Sequence, residues 1–306
     1  MGFSIDDITT RFKAMQSGDK RALAKLITAV ENNYPGIEDF MAGIAQNRST
    51  PIVGITGPPG AGKSSLVNAL LTHWVDIEQK RVAVLAVDPS SPFNLGALLG
   101  DRLRMAAHFT KDRVFIRSLS ARGALGGLTH KIVEVCDLLQ HAPFDLILVE
   151  TVGVGQSEIE IAGLADTTLL VMVPESGDEV QAIKSGIMEI ADIYVVNKAD
   201  RAGAAKFSRF IQAALHQRKA HAWNPPVLQT VASKNEGITA LAENIALHTQ
   251  FAKSPEIKAA LLAQKAWKMI AQRKMKAIDT QQLQTEIQEA LLKGTFNLYA
   301  FVRKHS

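Results

Sequence analysis

Cysteine is nearly missing from this chain of 306 residues, in which Cys136 stands alone. One thiol closes no disulfide within the chain and builds no cysteine-based metal cage, so a reducing, cytoplasmic setting is expected. No apolar run approaches the roughly 18 residues of a membrane span. No basic stretch leads into an apolar one near the start, so no signal peptide is expected. Asp6 stands where the myristoylation pattern requires Ser or Thr, so that pattern fails. Excess charge of one sign is also absent: 34 Lys and Arg oppose 30 acids, a net charge of +4. The basic residues are scattered, which describes a generic surface rather than a nucleic-acid-binding one. The eight histidines are dispersed, and there is no internal repeat or low-complexity segment. Apolar residues make up 47% of the chain, enough for a sizeable globular core.

Three stretches differ in pattern. In residues 1–47, Leu23, Leu26, Ile27 and Val30 recur at helical spacing, with Asp19 ahead of them as a cap or first-turn acid. In residues 48–252, PIVGIT, RVAVLAV, RVFIRSL, FDLILVE, TTLLVMV, IYVVN and PPVLQTV are short, β-branched and almost continuously apolar. Such runs suit strands buried on both faces of a parallel sheet, and the helical stretches between them suit its crossovers. The expectation is a doubly wound, mostly parallel α/β domain of about seven strands, with ligands bound at the strands' carboxyl ends. In residues 253–306, Ser254-Pro255-Glu256 is a helix start, and Leu283, Ile287, Ala290 and Leu291 form an apolar stripe. That stripe packs either on its own domain or on a second copy of the chain. The basic cluster Lys265, Lys268, Arg273, Lys274 and Lys276 reads as a solvated face.

The segment GPPGAGKS comprises Gly57, Pro58, Pro59, Gly60, Ala61, Gly62, Lys63 and Ser64. It satisfies G-x-x-x-x-G-K-[ST] between an expected strand and an expected helix that opens with Ser64 and Ser65. Glycines let the loop turn its backbone N–H groups toward phosphates, and the helix N-terminus adds its dipole. Lys63 is expected on the β- and γ-phosphates and the Ser64 hydroxyl on Mg²⁺.

NKAD follows the strand IYVVN. A carboxylate at Asp200 would accept guanine N1–H and N2–H₂, whereas adenine would leave it unpaired, so the pattern favours GTP over ATP. Asn197 is expected to tie this loop to the phosphate loop, with the Lys198 stem over the base. The loop TVASKNEGI brings Val231, Ala232 and Ser233, whose backbone N–H groups are expected near guanine O6, although it departs from the common Ser-Ala form.

Three acids are candidates to face the metal: Asp88 in VDPSSP, Asp101, and Glu150 in ETVGVGQSE. Mg²⁺ is usually reached through one or two carboxylates and keeps several waters, and the longer Glu150 suits a metal-bound water. For Asp101 a helix-cap or surface role stands equally open. Gly153 would give its N–H to the γ-phosphate. Gln156 does not directly follow that glycine and is not assigned to catalysis. Arg122, in SARGALGGL, reads as a surface arginine rather than an arginine finger.

With these residues in place, the sequence resembles the MeaB/ArgK family of G-protein chaperones for adenosylcobalamin-dependent acyl-CoA mutases. VDPSSP, SARGALGGL, VETVGVGQSE, VPESGDEVQAIKSGIMEIAD and VNKAD match the family's blocks in order, over nearly the whole chain. Glu in place of the usual Asp at position 150 is the family's own form. The resemblance implies a SIMIBI-like P-loop GTPase domain with an N-terminal helical extension and a C-terminal helical dimerisation arm. It implies GTP and GDP as ligands with Mg²⁺, and hydrolysis that is slow alone and stimulated by the mutase. It also implies control of cobalamin loading, protection of the mutase, and an adenosyltransferase among the partners. A loop matching Ser176 to Ser185, with Asp178, Glu179 and Lys184, would couple nucleotide state to the mutase. Three other readings compete: a kinase linked to basic amino-acid transport, a nickel-insertion GTPase and a non-hydrolysing GTP-binding scaffold. The dispersed histidines and single cysteine argue against nickel. NKAD argues against an ATP-dependent kinase, and intact Lys63, Ser64 and carboxylates argue against a site that has given up hydrolysis.

Overall fold

The computed structural model describes residues 5–44, 50–88, 105–120, 131–151, 157–174, 191–216, 223–251, 255–275 and 278–305. The chain forms two compact units, Met1–Lys253 and Ser254–Ser306. The first is built on β1 (Ile52–Thr56), β2 (Val82–Asp88), β3 (Val114–Ser120), β4 (Leu146–Glu150), β5 (Thr167–Met172), β6 (Ile193–Asn197) and β7 (Val227–Thr230). They form one seven-stranded sheet in the order β3-β2-β4-β1-β5-β6-β7, every pair parallel. All seven expected strands are present, and the fold is the expected doubly wound one.

The sheet shows why those runs are almost wholly apolar. Along β2, Ala83, Leu85 and Val87 enter one core while Val82, Val84 and Ala86 enter the other. Successive strand residues point to opposite faces, so covering both faces with helices requires apolar residues at consecutive positions. The first core is closed by α1 (Ile5–Gln16), α2 (Lys20–Glu31), α3 (Ile37–Gly43), α5 (Ile132–Leu139) and α6 (Ser157–Leu164). The second is closed by α4 (Lys63–Thr72), its π-helical continuation His73–Ile77, and α8 (Ile238–Gln250). A third cluster packs α7 (Ala204–His216) on β5 and β6.

The expected helical face at the start is α2, with Leu23, Leu26, Ile27 and Val30 all buried. The Asp19 carboxylate accepts from the N–H groups of Arg21 and Ala22, the geometry of an N-cap, and these bonds hold its pKa below the usual value. The first three helices are therefore part of the sheet's own core. The second unit consists of α9 (Pro255–Met275), α10 (Thr280–Leu292) and α11 (Leu298–His305). None of its described residues is fully buried, and Trp267, Leu292 and Tyr299 are largely exposed.

Candidate functional site

β1 ends at Thr56, and the chain turns through Gly57 toward α4. At Gly57, with φ +142°, a Cβ would sit 2.0 Å from the Val171 carbonyl oxygen, so only glycine lets the loop leave the sheet here. Pro58, Pro59, Gly60 and Ala61 carry the loop to Gly62, which has φ +89°. A Cβ on Gly62 would lie 2.4 Å from Asn197 Nδ2. No side chain caps the start of α4 at Gly62, where Lys63, Ser64 and Ser65 form the first turn.

Lys63 and Ser64 are both buried. The Lys63 ammonium donates to the carbonyl oxygens of Gly57 (2.8 Å) and Pro58 (3.1 Å), which folds its charge over the loop. Ser64 Oγ donates to Glu150 Oε1 at 2.7 Å. This hydrogen bond follows from strand order, because β4 lies beside β1 with Ile55 opposite Glu150. Asp88 ends β2, two residues beyond Ala86, the partner of Glu150, and so lies at the same end of the sheet. Asp101, Gly153, Arg122, Gln156 and the 176–185 loop lie outside the described residues.

The NKAD loop closes on the phosphate loop from the other side. Asn197 is buried at the end of β6, and its Nδ2 donates to the Ala61 carbonyl oxygen at 2.9 Å. Its Oδ1 accepts from Thr230 Oγ1 (3.1 Å) and the Ala232 N–H (3.2 Å). Lys198 takes a left-handed φ of +57°, and its Nζ donates to the Gly60 carbonyl oxygen at 2.7 Å. Asp200 lies 3.5 Å from Lys234 Nζ, both partly exposed. The Val231 N–H donates to the Glu236 carbonyl oxygen. Two of the three N–H groups expected at guanine O6 therefore already have partners inside the protein. A base reaching this loop would share Ala232 with Asn197 or use Ser233, because folding commits the Val231 and Ala232 donors first.

Sequence reasoning overlooked two hydroxyl interactions. Thr230 completes the grip on Asn197, and Thr151 Oγ1 donates to Thr56 Oγ1 at 3.1 Å between the ends of β4 and β1. A threonine at a strand end carries no periodic signal that separates it from ordinary β propensity.

Among the described residues, no three His, Cys, Asp or Glu side chains gather in a metal cage. The paired Ser64 hydroxyl and Glu150 carboxylate are hard oxygen donors, a set that fits Mg²⁺ held largely through water and phosphate rather than a transition metal.

A glycine-rich loop between a parallel strand and a helix, bound to an Asn-Lys-x-Asp loop, defines a P-loop nucleotide-binding protein of the GTPase class. Within that class the chain belongs to the family described as methylmalonyl Co-A mutase-associated GTPase MeaB, whose model matches residues 23–288. It is 47% identical over 252 residues to a Pyrococcus horikoshii protein assigned as a GTPase, covering 81% of this chain and 78% of that one. It is 36% identical over 262 residues to the mitochondrial methylmalonic aciduria type A homolog of Caenorhabditis briggsae, covering 78% and 64%. A crystal structure of an LAO/AO transport system kinase superposes with a TM-score of 0.71 at 25% identity, covering 98% and 97%. Family membership implies guanine-nucleotide binding.

Proposed function

We propose that this protein hydrolyses GTP to GDP and phosphate with Mg²⁺, and uses that cycle to gate adenosylcobalamin loading of an acyl-CoA mutase and to protect the mutase from inactivation. The observation that carries the nucleotide assignment is the union of the two loops through Asn197 and Ala61. It holds the loop bearing Asp200 against the loop bearing Lys63, so one ligand spanning base and phosphates can engage both. The mutase assignment is supported by the family description and by the methylmalonic aciduria relative.

In this reading the N–H groups of Gly60, Gly62, Lys63, Ser64 and Ser65 cradle the phosphates, and Lys63 exchanges its loop carbonyls for phosphate oxygens. Ser64, Glu150, Asp88 and Asp101 are the residues that would hold Mg²⁺, which when bound neutralises charge on the β- and γ-phosphates. The Gly153 N–H donates to the γ-phosphate, and hydrolysis breaks that hydrogen bond and frees the loop. Asp200 accepts from the guanine edge, and Asn197 and Lys198 fix the loop that carries it. Catalysis is positioning and charge neutralisation for in-line attack by water, with no covalent enzyme intermediate. Turnover of the isolated protein is slow, and docking of the mutase accelerates it. For hydrolysis to do work, the mutase must bind the GTP and GDP forms with different affinities.

In this reading residues 48–252 are the GTPase domain, residues 1–47 a helical extension that contributes to its core, and residues 253–306 a helical arm. The exposed Trp267, Leu292 and Tyr299 of the last part support a homodimer formed through it. An adenosyltransferase is a further partner in this reading, and the setting is cytoplasmic. The named kinase among the structural neighbours sustains one alternative, phosphoryl transfer linked to basic amino-acid transport.

The deciding experiment is steady-state GTP hydrolysis titrated with methylmalonyl-, isobutyryl- and 2-hydroxyisobutyryl-CoA mutases, with ATP as control. Acceleration by one mutase with ATP inert is expected. Flat GTP turnover across all three would remove the chaperone assignment, and preferential use of ATP would favour the kinase.

A further inference from the structure

The ends of β1 and β4 are joined by a buried pair of hydroxyls to which the proposed function gives no role. Thr56 and Thr151 are almost wholly buried, at 0% and 2% exposure, and their hydroxyls meet at 3.1 Å. The Thr151 N–H also donates to the Ile55 carbonyl oxygen at 3.0 Å, so the parallel ladder continues one step past the Ile55–Glu150 pair. On the other side of β1, the Val171 carbonyl fills the space where Gly57 would carry a side chain. The chain entering the phosphate loop is thus hemmed in by β5 at Gly57 and joined to β4 at Thr56, where the extra hold is a hydroxyl pair.

We propose that Thr56 and Thr151 form a positioning clasp for the hydrolytic site. Thr151 directly follows Glu150, whose carboxylate accepts from Ser64 at 2.7 Å, and Thr56 directly precedes the loop that leads to Ser64. The clasp therefore joins the two chain segments whose relative placement sets the Ser64–Glu150 distance. Interior packing alone would accept valine at both positions, since Val and Thr differ little in volume. The hydroxyl adds direction: it selects one rotamer on each strand and one offset between them. Thr151 is a positioning residue that acts through Glu150, and its effect falls on the chemical step rather than on nucleotide affinity. The inference rests on the GTPase reading, because it assigns Glu150 and Ser64 to the metal side of the phosphates.

The test uses the full chain with Thr151→Val, Thr151→Ser, Thr56→Val and the double Thr56→Val/Thr151→Val variant. Each is measured for fluorescent GDP binding, for the Mg²⁺ concentration that half-saturates tight GDP binding, for kcat and KM, and for thermal stability. Thr151→Val is expected to keep KM and GDP affinity within about twofold while kcat falls on the order of tenfold or more, as small misplacement of a reacting group does. Its Mg²⁺ half-saturation is expected to rise several-fold, and Thr151→Ser, which keeps the hydroxyl, to restore both values. The double variant is decisive. Replacing both partners of a buried hydrogen bond by matching apolar groups is close to neutral for stability. Thermal stability should therefore return while kcat and the Mg²⁺ requirement stay impaired. Recovery of kcat together with stability in the double variant would make the pair merely structural. Wild-type kcat and Mg²⁺ dependence in Thr151→Val would also overturn the clasp. If the wild-type protein hydrolyses no GTP, the GTPase reading itself falls, and the clasp is decided by whether the Mg²⁺ dependence of GDP binding shifts.

Discussion

Lys63 shows how a single side chain prepares the site. Its ammonium rests on the Gly57 and Pro58 carbonyl oxygens, so in the proposed reading a bound phosphate would replace weak dipolar partners with a full negative charge. Lys63→Ala should lower GTP hydrolysis on the order of a hundredfold or more and weaken nucleotide binding; unchanged turnover would remove the site assignment. In the proposed reading Asp200 acts at the same scale on the base. Asp200→Asn should cost roughly a hundredfold or more in GTP preference over xanthosine nucleotides, because the amide presents a donor where guanine also donates. Competition binding with GDP and XDP checks this, and unaltered selectivity would refute it. Lys63, Ser64, Asn197 and Asp200 were all legible as motif residues at motif spacing. The commitment of the Val231 and Ala232 donors was not, since the first arises when the loop after β7 folds back on itself to Glu236 and the second when that loop meets Asn197 at the end of β6.

The strands are legible as elements because burial on both faces leaves little room for polar residues, as the alternation along β2 makes plain. Helical periodicity in α2 marks an apolar face but cannot name what covers it. The structure supplies the answer, placing Leu26 and Ile27 in the same core as Ala83, Leu85 and Ile147 of the sheet. The N-terminal helices are thus structural members of the nucleotide-binding unit. Leu26→Ala should destabilise that unit by about 2–5 kcal/mol, as expected for a large-to-small change at a fully buried leucine. Urea unfolding checks this, and a change within roughly 0.5 kcal/mol, the range of ordinary surface substitutions, would argue that the helices pack independently.

At the scale of the whole molecule, His108 ties stability to pH. Burial lowers its pKa, with the nearby Lys111 charge adding to that effect and Asp76 opposing it. A histidine whose folded pKa lies below its unfolded value binds fewer protons when folded. Its contribution is therefore complete above the ordinary value near 6.5 and is lost as pH falls from there through the lower folded value. Thermal stability should decline on acidification from pH 7 toward 5, and His108→Gln should flatten that decline. An unchanged slope in the variant would assign the effect to other groups.

Local chemistry was enough to read a doubly wound parallel sheet from the chain alone, together with the GPPGAGKS and NKAD motifs that mark the GTPase class. Those features depend on short-range patterns: strands apolar on both faces, glycines where φ is positive, and a lysine and a serine at a helix start. Meetings between segments distant in the chain were decided by tertiary structure. Ser64 meets Glu150, Asn197 meets Ala61, and Thr56 meets Thr151 because the strand order sets β4 against β1 and brings the β6 loop over the P-loop. A hydrogen bond between residues about a hundred positions apart has no periodicity to betray it, and exists only once both backbones are packed.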